Sequence, residues 1–407
     1  MADFLILGAS ELITLSGGKR FGDFMRDLRI IKDGALAIEN GRIAGVGKTQ
    51  DIEKRFSGEE FDAQKKVVMP GFVDSHTHLI FEGTREDEFE LKISGKSYQE
   101  ILREGGGIYY TVEKTKKASK EKLKKNALKT LSRMLSFGTT TVEAKSGYGL
   151  DLEQELKCLK VMKEIEHPLD VIPTYLAHVK PKDFKGDYTS FVVDEILPQI
   201  KERKLAEFCD VFCEKEAFSL PESERILKKA RKLGFKLKIH ADEFSKMGGA
   251  ELAAKLSCAS ADHLLKASKK GVERMAERGI VACLLPGTPF VLNSPYPDAR
   301  FMIQKLPVSL ATDFNPSCFT ESMQMIITIA SLKMGLTPSE CISASTINAA
   351  FALERKDVGS LEIGKKADVI ILDAPNHKHL GYHFGVNLVD SVFKDGKCVV
   401  EDGRITF

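Results

Sequence analysis

The middle of the chain repeats one pattern. Short runs rich in β-branched and other apolar residues alternate with longer stretches whose apolar residues fall three and four apart. The β-type runs lie at 71–76 (GFVDSH), 139–145 (TTTVEAK), 170–177 (DVIPTYLA), 208–213 (FCDVFC), 236–240 (KLKIH), 258–262 (CASAD), 280–284 (IVACL) and 307–313 (PVSLATD). Between most of them stand stretches such as LEQELKCLKVMKEI and PESERILKKARKLG, spaced to give a helix one apolar face. Eight β-then-α units predict a (β/α)8, TIM-like barrel. An open doubly wound sheet is the rival, but the Gly-x-Gly-x-x-Gly that marks its first turn is absent here.

The two ends follow another pattern. GALAIENGRIAGVG has two β runs about Asn40-Gly41, and DSVFKDGKCVVEDGRITF has β runs about Asp395-Gly396 and Asp402-Gly403. Such dipeptides favour hairpins because both central positions of the turn take positive φ. Residues 1–67 and 358–407 are therefore expected to form one small β-sandwich domain from both termini, leaving 68–357 for the barrel.

Composition narrows the function classes. A length of 407 residues suits one large domain and a small one. The 60 basic and 58 acidic residues leave a net charge of +2, a balance that argues against a nucleic-acid surface. The basic run EKTKKASKEKLKKNALK, 113–129, reads as a solvated helix face, with an anionic partner as the other reading. Eight cysteines without a Cys-x-x-Cys pair are expected to be reduced core thiols of a cytoplasmic protein. The opening MADFLILGASELITL lacks the basic start and long apolar core of a signal peptide. No run is long enough to span a membrane; the nearest, GIVACLLPGTPFVL, is broken by Pro286 and Pro289.

In such a barrel, chemistry sits where strands end and loops begin. His76 and His78 close the first run, Tyr148 follows the second, and His178 the third. His240 ends the fifth with Glu243 just after it, His263 follows the sixth, and Asp313 ends the eighth. Five of nine histidines take such positions. The others are His167 at a helix end and His377, His379 and His383 near the C-terminus. Spacing two on a strand puts His76 and His78 on one face. With His240 and Asp313 they could hold a divalent cation and leave a place for water, whose pKa the metal would lower towards neutrality. The plainer reading of His-x-His alone is a polar strand end.

At these residues the chain resembles a known group. PGFVDSHTH looks like the metal-binding opening of the amidohydrolase superfamily, ATDFNP like its strand-eight aspartate, and VGSLEIGKKADVIILD like its return into a small β domain. More narrowly, GTREDEFELKISGKSYQEILREGGGIYYTV, TTVEAKSGYGLDLEQELK, DVFCEKEAFS, KIHADEF, SADHL, ATDFNPS and GYHFGVN are similar to the imidazolonepropionase family. That resemblance implies hydrolysis of 4-imidazolone-5-propanoate to N-formimidoyl-L-glutamate in histidine degradation. It implies one zinc or iron ion on His76, His78, His240 and Asp313, and catalytic roles for Glu243, His263 and Asp313. It also implies substrate contacts at Arg85, Tyr148, His178, Glu243, Asn315, Ser317 and Cys318, and a homodimer.

Each assignment has a plainer rival. Glu243 could be a first-turn acid if HADEF opens a helix. Arg85 could pair locally with Glu82, Glu86, Asp87 or Glu88. Tyr148 could be a packed loop aromatic and His178 a hydrogen-bonded core histidine. Ser317 and Cys318 depart from the family pattern of Gly followed by Ser or Thr, and Ser317 would take up space unless its φ is negative. Gly105–Gly107 reads as a mobile loop near the pocket mouth or a plain turn. Lys215 falls past the place of the lysine that bridges two metals elsewhere in the superfamily, so a mononuclear site is expected. The whole-protein rivals are a deaminase or other ring hydrolase of the superfamily, and a non-enzymatic relative that has lost its ligands.

Overall fold

The computed structural model describes residues 2–96, 100–101 and 105–407. Parts of the GKSYQEILREGGG motif fall outside them. Five strands come first: β1 (Phe4–Ile13), β2 (Ile30–Glu39), β3 (Arg42–Lys48), β4 (Glu59–Asp62) and β5 (Val67–Pro70). Eight follow: β6 (Phe72–Asp74), β7 (Thr139–Lys145), β8 (Asp170–Ala177), β9 (Phe208–Cys213), β10 (Lys236–Ala241), β11 (Ser260–His263), β12 (Val281–Leu284) and β13 (Val308–Leu310). Four close the chain: β14 (Val369–Leu372), β15 (Val389–Lys394), β16 (Lys397–Glu401) and β17 (Arg404–Ile405).

The eight middle strands form one parallel sheet in chain order. Its two edges meet just past β6 and β13. There the Asp313 amide donates to the His76 carbonyl (3.1 Å) and the His78 amide to the Phe314 carbonyl (2.8 Å). These are the eight β runs of the sequence pattern, with shifted ends. His76 and Asp313 lie beyond their strands, while His263 is the last residue of its own. Helices between the strands start at caps. Asp151 accepts from the Gln154 amide at the start of Leu152–Lys163, and Ser219 with Glu222 forms a capping box before Leu220–Lys232.

The terminal strands form a single nine-stranded sheet, ordered β17-β16-β15-β14-β5-β1-β2-β3, with β4 also pairing β1. The expected sandwich is thus one sheet curled on itself. Phe4 on β1 meets Phe393 on β15 at 5.3 Å between ring centroids, although two strands lie between theirs in the sheet. Ile6, Leu12, Leu36, Val68, Val369 and Phe393 fill the enclosed face. Ile13, Val67, Ile370 and Val392 join the barrel core instead, so the sheet is bound to the barrel by apolar burial.

The basic run is two helices, Ile108–Lys117 and Lys120–Ser136, broken at Ser119, which accepts from the Lys122 amide. Its lysines meet acids across the surface, as Lys116 does Asp151 (2.7 Å), which fits the solvated face. No helix among the described residues is long and apolar enough to cross a membrane. Seven cysteines are buried and Cys398 half-buried, all as free thiols.

Candidate metal centre and active site

The mouth at the C-terminal strand ends gathers the predicted residues. His76, His78, His178, His240, Glu243, His263 and Asp313 are all buried. Ring centroids lie 4.5 Å apart for His76–His240, 5.1 Å for His240–His263 and 5.3 Å for His76–His78. Asp313 Oδ1 sits 3.4 Å from His78 Nε2 and 3.5 Å from His76 Nε2. Its other oxygen accepts from the Thr288 hydroxyl.

The fit to a cation rests on atoms without partners. His76 Nε2, His240 Nε2 and Asp313 Oδ1 are buried and make no hydrogen bond among the described residues, although buried polar atoms are normally paired. The ligand atoms of His76, His78 and Asp313 lie within 4.8 Å of one another, as do those of His76, His240 and His263. Burial first, then neighbouring positive groups, lowers the pKa of His76. Burial also lowers that of His78 against the pull of Asp313. Neutral imidazoles with a carboxylate suit zinc or iron. Burial alone would raise the pKa of Asp313, but contact with His78 and the field of His263 outweigh it, and it stays ionised.

Partners that sequence reasoning missed orient the histidines. His76 Nδ1 lies 2.6 Å from Asp262 Oδ2, and His240 Nδ1 lies 3.0 Å from Asp210 Oδ2. The first is a hydrogen bond, the arrangement that fixes a ligand's tautomer; the second is a close contact outside hydrogen-bond geometry. Backbone strain collects here too. His263, Leu264 and Asp313 hold φ of 74°, 61° and 52°, a left-handed conformation that costs L-residues about 1–2 kcal/mol each.

Glu243 lies 3.6 Å from His263 Nε2. Burial, then Asp313 and Glu214, push its pKa well above the usual carboxylate range. Burial takes His263 down to about 3, and it is neutral. The helix expected at HADEF begins only at Gly249. It is Asp242, not Glu243, that caps it, accepting from the Gly248 (2.8 Å) and Ala250 (2.9 Å) amides. Glu243 is left to face the cavity.

Arg85 is buried and donates from Nε to Thr111 Oγ1 (3.0 Å). Its nearest acid, Glu88, is 3.9 Å away, and Glu88 also accepts the Gly107 amide (2.6 Å). Glu82 takes Asn126 instead (2.6 Å). Among the described residues the contacts of the Arg85 guanidinium are thus one hydrogen bond from Nε and one long ion pair from a terminal nitrogen. In Gly105–Gly107 the Gly107 amide donates to Glu88 and the Gly106 amide to the Ile101 carbonyl.

The glycines of KSGYGLD have a mechanical reason. A Cβ on Gly147 would come within 2.9 Å of His178 Cβ, and one on Gly149 within 2.5 Å of the Glu155 amide. Glu155, unnoticed in the sequence, accepts the amides of Gly147, Gly149 and Leu150 at 2.7–3.0 Å. The loop so drawn in sets Tyr148 5.3 Å from the His178 ring and 6.0 Å from the His78 ring. Past β13, Asn315 spends its side chain on its own loop: Nδ2 donates to the Asp313 carbonyl (2.8 Å), and Oδ1 accepts from Ser317 (2.8 Å) and Cys318 (3.0 Å). Ser317 is absent from the positive-φ positions and accepts from Lys92 Nζ (2.9 Å). The Cys318 thiol is buried beneath the loop. Lys215 is exposed past the end of β9.

Barrel and site together define a hydrolase of the amidohydrolase class, and the pattern of that family matches residues 67–399. The chain is 47% identical over 100% of its length to an imidazolonepropionase of Alkaliphilus metalliredigens, covering 100% of it. It is 49% identical to one from Alkaliphilus oremlandii (99% of each chain), and 46% to one from Clostridium tetani (97% of each). Among solved structures it resembles a zinc-bound adenosine deaminase from Xanthomonas campestris, with TM-score 0.76 at 19% identity over 100% and 94% of the two chains. An ochratoxinase from A. niger gives 0.69 at 20%, over 98% and 96%; both likenesses concern the fold alone. The chain belongs to the imidazolonepropionase family, hydrolases that act on carbon–nitrogen bonds of cyclic amides.

Proposed function

We propose that the chain hydrolyses 4-imidazolone-5-propanoate to N-formimidoyl-L-glutamate at this mouth, with one zinc or iron ion held by His76, His78, His240 and Asp313. The observation that carries the reading is the convergence of His76 Nε2, His240 Nε2 and Asp313 Oδ1, which have no hydrogen-bond partner among the described residues, with the buried Arg85 close enough to His178 to act on its charge. When bound, the ion supplies Lewis acidity to water and to the ring carbonyl.

The remaining work falls to side chains. Arg85 meets the propanoate with its planar fork. Tyr148 and His178 wall the ring, and the Asn315–Cys318 loop shapes its far side. Ionised Asp313 takes a proton from the attacking water. Protonated Glu243, beside neutral His263, gives one to the ring nitrogen as the carbon–nitrogen bond breaks. One water is consumed and one product forms: the water oxygen ends in the new carboxyl group, one hydrogen replaces the broken bond on the released ring nitrogen, and the other leaves as a proton when the carboxyl ionises. A homodimer and a cytoplasmic location belong to the same reading.

The test is loss of imidazolone absorbance on freshly generated substrate, with elemental analysis of the same protein. Turnover by metal-loaded protein that vanishes in His78→Ala supports the reading. Metal without turnover would keep the site and sink the substrate.

A further inference from the structure

Beneath the imidazoles, the barrel interior carries charge where branched apolar side chains usually fill it. Glu143 and Lys145 on β7, Asp210 on β9, Lys238 on β10 and Asp262 on β11 are fully buried. Lys145 Nζ donates to Asp210 Oδ2 (2.7 Å) and lies 2.9 Å from Glu143 Oε2 and 3.7 Å from Asp262 Oδ2. Lys238 Nζ donates to Glu143 Oε2 and to the Ser75 carbonyl, both at 2.7 Å, and lies 3.4 Å from Asp262 Oδ2. Ser260 Oγ donates to Asp262 Oδ1 (2.6 Å). The contacts end at His76 and His240, through Asp262 and Asp210.

We propose that Lys145 and Lys238 are positioning residues of the metal centre, which through Asp262 and Asp210 hold His76 and His240 with Nε2 aimed at the cation. This rests on the metal reading above. Each histidine has a carboxylate against its Nδ1, and each carboxylate has an ammonium group below it: Lys145 donates to Asp210, and Lys238 lies within ion-pair range of Asp262. Lys238 also grips the backbone one residue before His76. Burying five charges is costly, and apolar side chains of similar volume usually serve stability as well or better. Burial opposes the charge of Lys145, but Asp210, Glu143 and Asp262 outweigh it and raise its pKa.

The test is zinc affinity of the full chain by competition with a chromogenic chelator, with the visible spectrum of the cobalt-loaded protein as a report on ligand geometry. Lys145→Met and Lys238→Met are expected to bind zinc about 10–100-fold more weakly, with altered cobalt bands. Lys394 is also buried and paired, with Asp368 at 3.1 Å and Asp170 at 3.2 Å, but in the terminal sheet. Lys394→Met is expected to lose stability with unchanged zinc affinity. Ser260→Ala, which deletes the hydroxyl bonded to Asp262, serves if the lysine variants do not fold; it is expected to weaken zinc by about 10-fold, the low end of the range for an outer partner. Folded variants with wild-type affinity and wild-type cobalt bands overturn the proposal. Wild-type protein that binds neither ion overturns the metal reading instead.

Discussion

The Asp313 amide donates to the His76 carbonyl at 3.1 Å, so one of the two backbone bonds that close the barrel lies at the centre of the site. Strand one and strand eight are as far apart in the sequence as two barrel strands can be. Their ends are joined at His76 and Asp313, two of the residues proposed to hold the cation. Asp313→Asn keeps the backbone bond and the shape but removes the charge. It is expected to keep the fold, bind metal more weakly, and lose roughly 10²–10⁴ in kcat, the range of a proton-transfer group. Chelator competition and steady-state kinetics read both.

Arg85 is expected to govern substrate binding. Losing a charged hydrogen-bond pair costs about 1.5–3 kcal/mol, so Arg85→Ala should raise KM by roughly 10–100-fold with a smaller change in kcat. Arg85→Lys should recover only part of this, because a point charge does not reproduce a fork. An unchanged KM would remove Arg85 from the clamp.

Glu243 is buried with its pKa raised well above the usual carboxylate range, which suits a proton donor near neutrality. Glu243→Gln cannot donate a proton and is expected to lower kcat by roughly 10²–10⁴ with little change in metal content. The wild-type kcat should fall on the alkaline side as Glu243 ionises, and that limb should be missing from the residual activity of the variant.

Gly149→Ala tests the Tyr148 loop. The new methyl would sit 2.5 Å from the Glu155 amide, which forces the loop away from its anchor. Overpacking of this kind costs about 1–3 kcal/mol. Melting should fall accordingly, and kcat/KM should fall further than the stability loss explains, because Tyr148 moves with the loop. Equal activity at wild-type temperature would make the loop mere packing.

His167 gives a pH signature away from the site. Burial lowers its pKa to about 4; Nδ1 accepts the Leu169 amide (3.2 Å) and Nε2 lies 3.3 Å from the Ser132 hydroxyl. Its stabilising share is complete above about pH 6.5, where the unfolded residue is also neutral, and is lost as pH falls towards 4. Discounted for partial exposure, the loss is about 1–2 kcal/mol. His167→Asn should flatten the acid limb of unfolding free energy against pH by that amount; an identical limb would refute the assignment.

The sequence determined a good deal by itself. Eight β runs in alternation with amphipathic helices are local patterns, and they sufficed for the barrel because each unit carries its own period. Asn-Gly and Asp-Gly likewise mark hairpins through their own backbone preferences. That His76, His78, His240, Glu243, His263 and Asp313 gather at one mouth was legible because each falls at or just after the end of a β run, and a barrel brings those ends together.

What stayed hidden depends on which way a residue faces after closure. Lys238 stands two before His240, so both point into the barrel, yet a strand lysine reads as solvent-facing until the barrel shuts around it. Asp262 and His263 are neighbours and should face opposite sides; a φ of 74° at His263 turns the ring into the cavity, and no propensity announces that. Asp313 is turned in the same way. Glu155 reads as a surface helix acid, and only the returning loop makes it an anchor for three amides. Local periodicity is written in the chain. The partners of a buried charge are set by strands that meet only when the sheet closes, and that was decided by the tertiary structure.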